Sequence, residues 1–197
     1  MSKNLNNHDI DHNIAITADH AGFHLKEKIK IDLLNSGYKV LDLGTNSEES
    51  VDYPDFGKAI ALKIMQGEVK KGIALCGTGI GISISANRFK GVRAALCNNA
   101  LMAEKARKHN NANILAIGAR LTDYEVVSEC VDTFLKTSFE GDRHINRIEK
   151  IETESTECGL DYELDSVVKN ELERQQNNIE LIASENFASK NVMKYQG

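Results

Sequence analysis

Five short apolar runs, each followed by a stretch of helical spacing, constrain this chain more than any other feature. The runs are IAITAD (14–19), KVLDLG (39–44), GIALCG (72–77), RAALCN (93–98) and ILAIGA (114–119). Each is apolar on both alternating faces, the pattern of strands buried in a parallel sheet. Between them, Leu25, Ile29 and Leu33 recur every four residues, and so do Phe56, Ile60 and Ile64. After the fifth run, Thr122-x-x-Glu125 reads as a capping box, and Val127, Val131 and Phe134 mark a helix face. Five β-α units predict an α/β fold: a Rossmann-like three-layer α/β/α sandwich around a five-stranded parallel sheet. Such sheets bind ligands beyond the C-terminal ends of their strands. The polar residues at those ends are Asp19-His20, Gly44-Thr45, Cys76-Gly77-Thr78, Asn98-Asn99 and Gly118-Ala119-Arg120.

Charge says little until it is divided. The net charge is −5. Residues 149–173 carry nine acids against two lysines, so the remainder is close to +2, with no basic stripe suited to nucleic acid. No apolar run approaches the roughly 18 residues that span a bilayer. The N-terminal MSKNLNNHDIDHN lacks the apolar core of a signal peptide, so a cytoplasmic protein is expected. Of the four cysteines, Cys97 and Cys130 lie in apolar runs and read as small core residues, and none forms a CxxC pair. The six histidines show no metal-binding spacing, and His8, His12 and His24 read as surface residues.

The stretch LCGTGIGIS (75–83) is the most chemically suggestive. It is not a phosphate loop of the Walker type, because no Gly-Lys-Ser/Thr follows. It is not GxGxxG, because the third glycine would fall on Ile82. What remains is a strand-to-helix turn whose bare N–H groups make an anion seat. A cysteine there can have its thiolate favoured by the helix dipole, but Cys76 reads equally as the last buried residue of its strand. Asp19-His20 has a bland reading as a helix-capping pair, and His109 as a partner of a helix C-terminus. Arg143 and Arg147, four apart, would share one helix face, often only a solvated one.

Together these pieces resemble the type B ribose-5-phosphate isomerases, in the wider family of RpiB/LacAB sugar-phosphate isomerases. The resemblance is carried by ITADHAGFHLK, DLGT, VDYPDF, GIALCGTGIGISISANR, GVRAALC, ARKHNNANILAIGAR and FEGDRHINRI, over roughly residues 13–150. It implies an aldose–ketose isomerase acting on ribose 5-phosphate and ribulose 5-phosphate, without metal or organic cofactor. It also implies a homodimer, sometimes paired into tetramers, with both subunits contributing to each active site. By the same resemblance Cys76 is the base, and Thr78 with the amides of Gly77, Gly79, Ile80 and Gly81 binds the enediolate. His109 opens the sugar ring with Asn110 beside it, Asp19 and His20 bind the sugar and its phosphate end, and Arg120, Arg143 and Arg147 clamp the phosphate. One branch of the family places a glutamate base a few residues later. Ile80–Ser83 holds no acid, so Cys76 has no substitute there.

The composition changes near residues 150–158, where an acidic, mostly polar stretch begins. This divides the chain into a polar extension (1–12), an isomerase domain (13–157) and a C-terminal tail (158–197), mainly helical or disordered, with a helix expected near 166–177. Within the tail, ELIASENF followed by VMKYQG resembles the N-terminus of serine hydroxymethyltransferase. The lysine that would hold pyridoxal phosphate and the body of that fold are absent, so no activity is implied. A fusion remnant, a frameshift product and an interaction arm all fit the tail. Two rivals to the leading function stay open: isomerisation of a hexose phosphate (galactose or allose 6-phosphate), and a non-catalytic phosphosugar-binding module.

Overall fold

The computed structural model describes residues 13–152 together with Asn170, Glu171 and Arg174. The chain divides into two units, residues 1–152 and 153–197. In the second, the three described residues are helical and lie within the stretch where a helix is expected, with Arg174 paired to Glu171 at 2.8 Å. The polar extension, His8, His12, Cys158 and the ELIASENF segment fall outside the described residues.

In the first unit the five runs form one all-parallel sheet. Its strands are β1 (Asn13–Ala18), β2 (Lys39–Asp42), β3 (Lys71–Cys76), β4 (Ala94–Leu96) and β5 (Ile114–Gly118), in the spatial order β2-β1-β3-β5-β4. Six α-helices accompany them: α1 (Phe23–Asn35), α2 (Tyr53–Met65), α3 (Ile80–Ala86), α4 (Ala100–Asn110), α5 (Tyr124–Lys136) and α6 (Ile145–Glu152). Side-chain alternation sorts the core into two layers. Ile14, Ile16, Ile73, Leu75, Leu115 and Ile117 face one side with residues of α1, α4 and α5. Ala15, Ala74, Ala116 and Cys76 face the other with residues of α2 and α3. This second layer packs closely: a Cβ added at Gly72 would come within 2.6 Å of Ile60. The three-layer sandwich is therefore as the strand rhythm predicts.

Two expectations need correction. Full burial holds for β1, β3 and β5, whereas β2 and β4 are only partly buried because they are the sheet's two edges. The capping box does not form. Asp123 occupies the N-cap position of α5, so Glu125 falls at the second helical position rather than the third, and the buried Thr122 hydroxyl has no hydrogen-bond partner. On α1, Ile29 and Leu33 are buried and Leu25 packs partly buried against the same core, as the spacing predicts, with Lys26 buried beside them.

Lys26 is fully buried although charged. Its Nζ donates to Asp42 and Glu27 at 2.7 and 2.6 Å, and Lys30 reaches the same two carboxylates. Burial pushes the Asp42 carboxyl up, but hydrogen bonds from Lys26 and Lys30 outweigh it and hold the group below its usual range. The Lys26 methylenes lie where a side chain at Gly44 would sit, 2.6 Å from its Cβ. The cluster thus fastens α1 to the end of β2. Removing Asp42 would leave the buried Lys26 ammonium with Glu27 as its one remaining carboxylate here, and under-compensating a buried charge is destabilising.

Candidate active site

The strand order reverses between β1 and β3, and ligands of open α/β sheets bind in the crevice beside such a reversal. The loops after these two strands meet there. The Asp19 N–H donates to the Leu75 carbonyl at 3.2 Å, and Leu75 is the neighbour of Cys76. On the other side of β3, the turn after β5 joins them: the Ala119 and Arg120 N–H groups donate to the carbonyls of Cys76 and Gly77 at 2.8 and 3.0 Å. Three loops therefore converge on one thiol.

Cys76 closes β3 and is 3% exposed. The chain then turns sharply through Gly79 at φ 75°, a left-handed conformation that favours glycine. A Cβ there would also lie 2.5–2.8 Å from Leu96, Ile117 and Gly118, so Gly79 is required twice over. The turn brings the Gly79 N–H onto the Cys76 sulfur at 3.1 Å. The exposed Thr78 accepts the Ile80 N–H on its Oγ1 at 3.3 Å. Two of the amides expected to greet a ligand are thus engaged within the loop, which corrects the simpler picture of five bare donors. Gly81, in the first turn of α3, has no intrahelical acceptor for its N–H. Its Cα is covered by the Tyr53 ring, 2.6 Å from where a Cβ would stand.

Asp19 is buried, and its Oδ1 accepts the Ala21 and Gly22 N–H groups at 2.9 and 3.1 Å, so the capping reading describes that oxygen. His20 is anchored through Nδ1, 3.2 Å from the backbone of Val51, which leaves Nε2 outside this anchor. The Arg120 side chain crosses Gly77, with Nη1 3.5 Å from where a Cβ would be. Asp19, His20, Arg120 and the Gly77–Gly81 loop thus share the C-terminal rim of the sheet with Cys76.

His109, Asn110, Arg143 and Arg147 do not. Cys76 pairs with Gly118, the last residue of β5, whereas His109 lies in the last turn of α4, just before β5 begins at Ile114. Four strand steps, about 13 Å, separate those two ends of β5. His109 lies toward the N-terminal edge of the sheet and Cys76 at the C-terminal edge. A second cluster forms around His109. Its ring stacks on that of the buried His144, with centroids 4.5 Å apart and planes 8° from parallel. Glu140 Oε2 lies 3.8 Å from His109 Nε2 and 3.9 Å from His144 Nε2. Arg147 Nη1 is 3.4 Å from His144 Nδ1. Burial foremost, then His109, Arg143 and Arg147, push the His144 imidazole below the usual histidine range against the pull of Glu140. Arg143 sits in a 3-10 turn (Asp142–His144) and Arg147 in α6, so they do not share one α-helix as their spacing suggests.

His109, Glu140 and His144 offer three ligand atoms within 4.8 Å of one another. Their geometry suits a metal poorly: imidazole lone pairs lie in the ring plane, and two nearly parallel planes do not converge on one ion. A hollow of about 800 Å³ also opens on the N-terminal side of the sheet, lined by Lys71, Arg93, Arg107 and Asn113 and remote from the thiol. Its cations have protein partners, as in Lys71 with the Leu135 carbonyl, Arg93 with Glu152 and Arg107 with the Ala112 carbonyl.

Sequence reasoning did not assign Tyr53, Glu140 or His144. Their signal was present in the quoted VDYPDF and FEGDRHINRI segments, but nothing in residue type separated them from surface residues.

The family model described as Ribose/Galactose Isomerase matches residues 14–151, which hold both clusters. The chain belongs to this family. Relatives within the family fix the level of likeness. Ribose-5-phosphate isomerase B of Escherichia coli is 45% identical over 138 residues, covering 70% of this chain and 93% of that protein. The crystal structure of a ribose 5-phosphate isomerase from Thermotoga maritima shares 56% identity and superposes with a TM-score of 0.70, over 71% of this chain and 97% of its own. Ribose-5-phosphate isomerase B from Mycoplasma genitalium, solved with bound ribulose-5-phosphate, gives 43% identity and a TM-score of 0.69, over 71% of this chain and 93% of its own. A separate match, to serine hydroxymethyltransferase, spans residues 158–197.

Proposed function

We infer that this family member is an aldose–ketose isomerase interconverting D-ribose 5-phosphate and D-ribulose 5-phosphate. The observation that carries the reading is the convergence of three loops on Cys76 at the strand-order reversal, in a chain whose relatives act on or bind these sugars. His109 protonates the ring oxygen and opens the furanose. The Cys76 thiolate takes the proton from C2, leaving an enediolate, and returns it to C1. Meanwhile the C1 carbonyl becomes a hydroxyl and the C2 hydroxyl a carbonyl, so no electrons leave the substrate and no metal or organic cofactor is called for. Thr78 and the free loop amides stabilise the charge on the enediolate oxygens. Asp19 and His20 hold the sugar, and Arg120, Arg143 and Arg147 hold the phosphate dianion.

Because the two clusters lie at opposite ends of the sheet, one chain cannot close them on one pentose. A homodimer can, if the thiol loop of one subunit meets the His109 cluster of the other. Ile80, Ile84 and Leu121 stand at least half exposed beside the thiol loop, which supports an apolar contact there. Among the described residues no helix is long and apolar enough to cross a membrane. A cytoplasmic setting fits this substrate.

Incubating the purified full chain with ribose 5-phosphate in D2O tests the reading. Ribulose 5-phosphate should form, with deuterium appearing at the exchanged carbon. Faster turnover of galactose 6-phosphate or allose 6-phosphate would favour the hexose reading, and binding without turnover would leave only a phosphosugar-binding module. Arg143→Ala and Arg147→Ala should each raise KM about tenfold or more, since each removes a charge-assisted contact of roughly 1.5–3 kcal/mol. Unchanged KM values would make both arginines ordinary surface charges.

The catalytic unit is residues 13–157, and the segment 158–197 contributes no activity of its own. All the assigned residues precede it. A chain ended at Thr156 should therefore keep the kcat, KM and dimer mass of the full protein. Loss of dimer or of turnover would mean that the tail has been recruited into the working assembly.

A further inference from the structure

His144 has no role in the scheme above, yet it is buried against two residues that have one. It is 5% exposed, the face of its ring lies against His109, and its Nδ1 lies 3.4 Å from Arg147 Nη1. We propose that His144 is a positioning residue that ties the ring-opening acid to the phosphate clamp, seating His109 on its face and receiving Arg147 on its edge. The inference rests on the reading of His109 and Arg147 as substrate-facing groups.

The chemistry follows from what each group can do. A guanidinium only donates hydrogen bonds, so His144 Nδ1 must be an acceptor. The neutral ring then carries its proton on Nε2. That atom is buried without a hydrogen-bond partner and faces Glu140 Oε2 at 3.9 Å, beyond hydrogen-bond range. A second proton, on Nδ1, would set one donor against another and add a cation among Arg143, Arg147 and His109. Burial and those neighbours hold the imidazole below its usual range, which keeps the accepting form. A neutral ring is also the better seat for His109, because two stacked imidazolium ions would repel. One buried side chain thereby fixes both the ring plane of the acid and the reach of the arginine.

Two substitutions in the full-length protein separate the two contacts. His144→Phe keeps a flat face but has no acceptor. It should raise KM for ribose 5-phosphate about tenfold, as for a lost hydrogen bond to a charged group, with kcat near that of the parent. His144→Asn can offer an amide oxygen in place of Nδ1 but has no ring to stack. It should lower kcat about fivefold, the scale of a lost aromatic contact, with KM near that of the parent. His109→Asn and Arg147→Ala are run beside them. If those two show their expected losses but the Phe and Asn variants shift kcat and KM alike, the tie is wrong and the functional reading stands. If His109→Asn leaves kcat unchanged, the reading of the acid falls and takes this inference with it. Should either variant fail to fold, 15N spectra of the parent's imidazoles decide the matter at pH 7. The neutral Nε2–H tautomer at His144 is expected, and an Nδ1–H tautomer or an imidazolium would overturn the proposal.

Discussion

Cys76→Ala should lower kcat for ribose 5-phosphate by about two to four powers of ten, the contribution of a well-placed base, while the sugar phosphate still binds. The expectation comes from the sulfur's position. It ends β3 at the strand-order reversal, the Gly79 N–H points at it, and the loops bearing Asp19 and Arg120 close around it. No acid lies in Ile80–Ser83 to take over. Among the described residues, the other two cysteines cannot substitute either. Cys97 and Cys130 are buried in the layer on the opposite face of the sheet, where burial pushes their thiols up to about 12 and about 11. Binding should survive because the change removes one sulfur and leaves the backbone of the turn and the cationic groups in place. Steady-state rates with a parallel calorimetric titration of substrate check both halves. Activity within a few-fold of the parent would remove Cys76 from the role of base.

His109→Asn should act on a different step. A group that opens the ring is needed by the cyclic aldose, whereas ribulose 5-phosphate has no furanose of this kind to open. The variant should lose about a hundredfold in the ring-opening step, as for a lost general acid, and far less in enolisation of the ketose. Steady-state rates cannot separate these, because the overall equilibrium ties the two directions together. Pre-steady-state measurements can, by following aldehyde release and deuterium exchange separately. Equal losses in both steps would place His109 elsewhere in the mechanism.

How much of this was legible in the sequence depended on whether a feature is local. The strands were legible because burial on both faces leaves continuous apolar runs, and β1, β3 and β5 are buried on both faces. The edge strands β2 and β4 looked the same in sequence, since only the spatial order exposes them. Lys26 escaped notice because a charged residue is normally read as outward-facing, and its partner Asp42 lies on another element. The thiol loop was legible because its glycines are local requirements: Gly79 needs its positive φ and its closeness to β5. The separation of His109 from Cys76 was not. Motifs give the identity of residues, and only the direction of α4, running back from the end of β4 to the start of β5, sends His109 to the far edge of the sheet. The stacking of His144 on His109 is hidden for the same reason, being a contact between α4 and a turn more than thirty residues later.

The central claim is that each active site is built from two chains, with Cys76 from one and His109 from the other. Mixing Cys76→Ala with His109→Asn subunits tests it most directly. Each homodimer alone should be nearly inactive. In a two-fold dimer of one of each, one site combines the intact Cys76 of one subunit with the intact His109 of its partner, and the other site lacks both. Random exchange makes half the dimers mixed, so co-refolding should restore about a quarter of the parent activity for a closed two-fold assembly. Activity that stays at the level of the two inactive homodimers, with mixed dimers demonstrated by mass, would contradict the shared site.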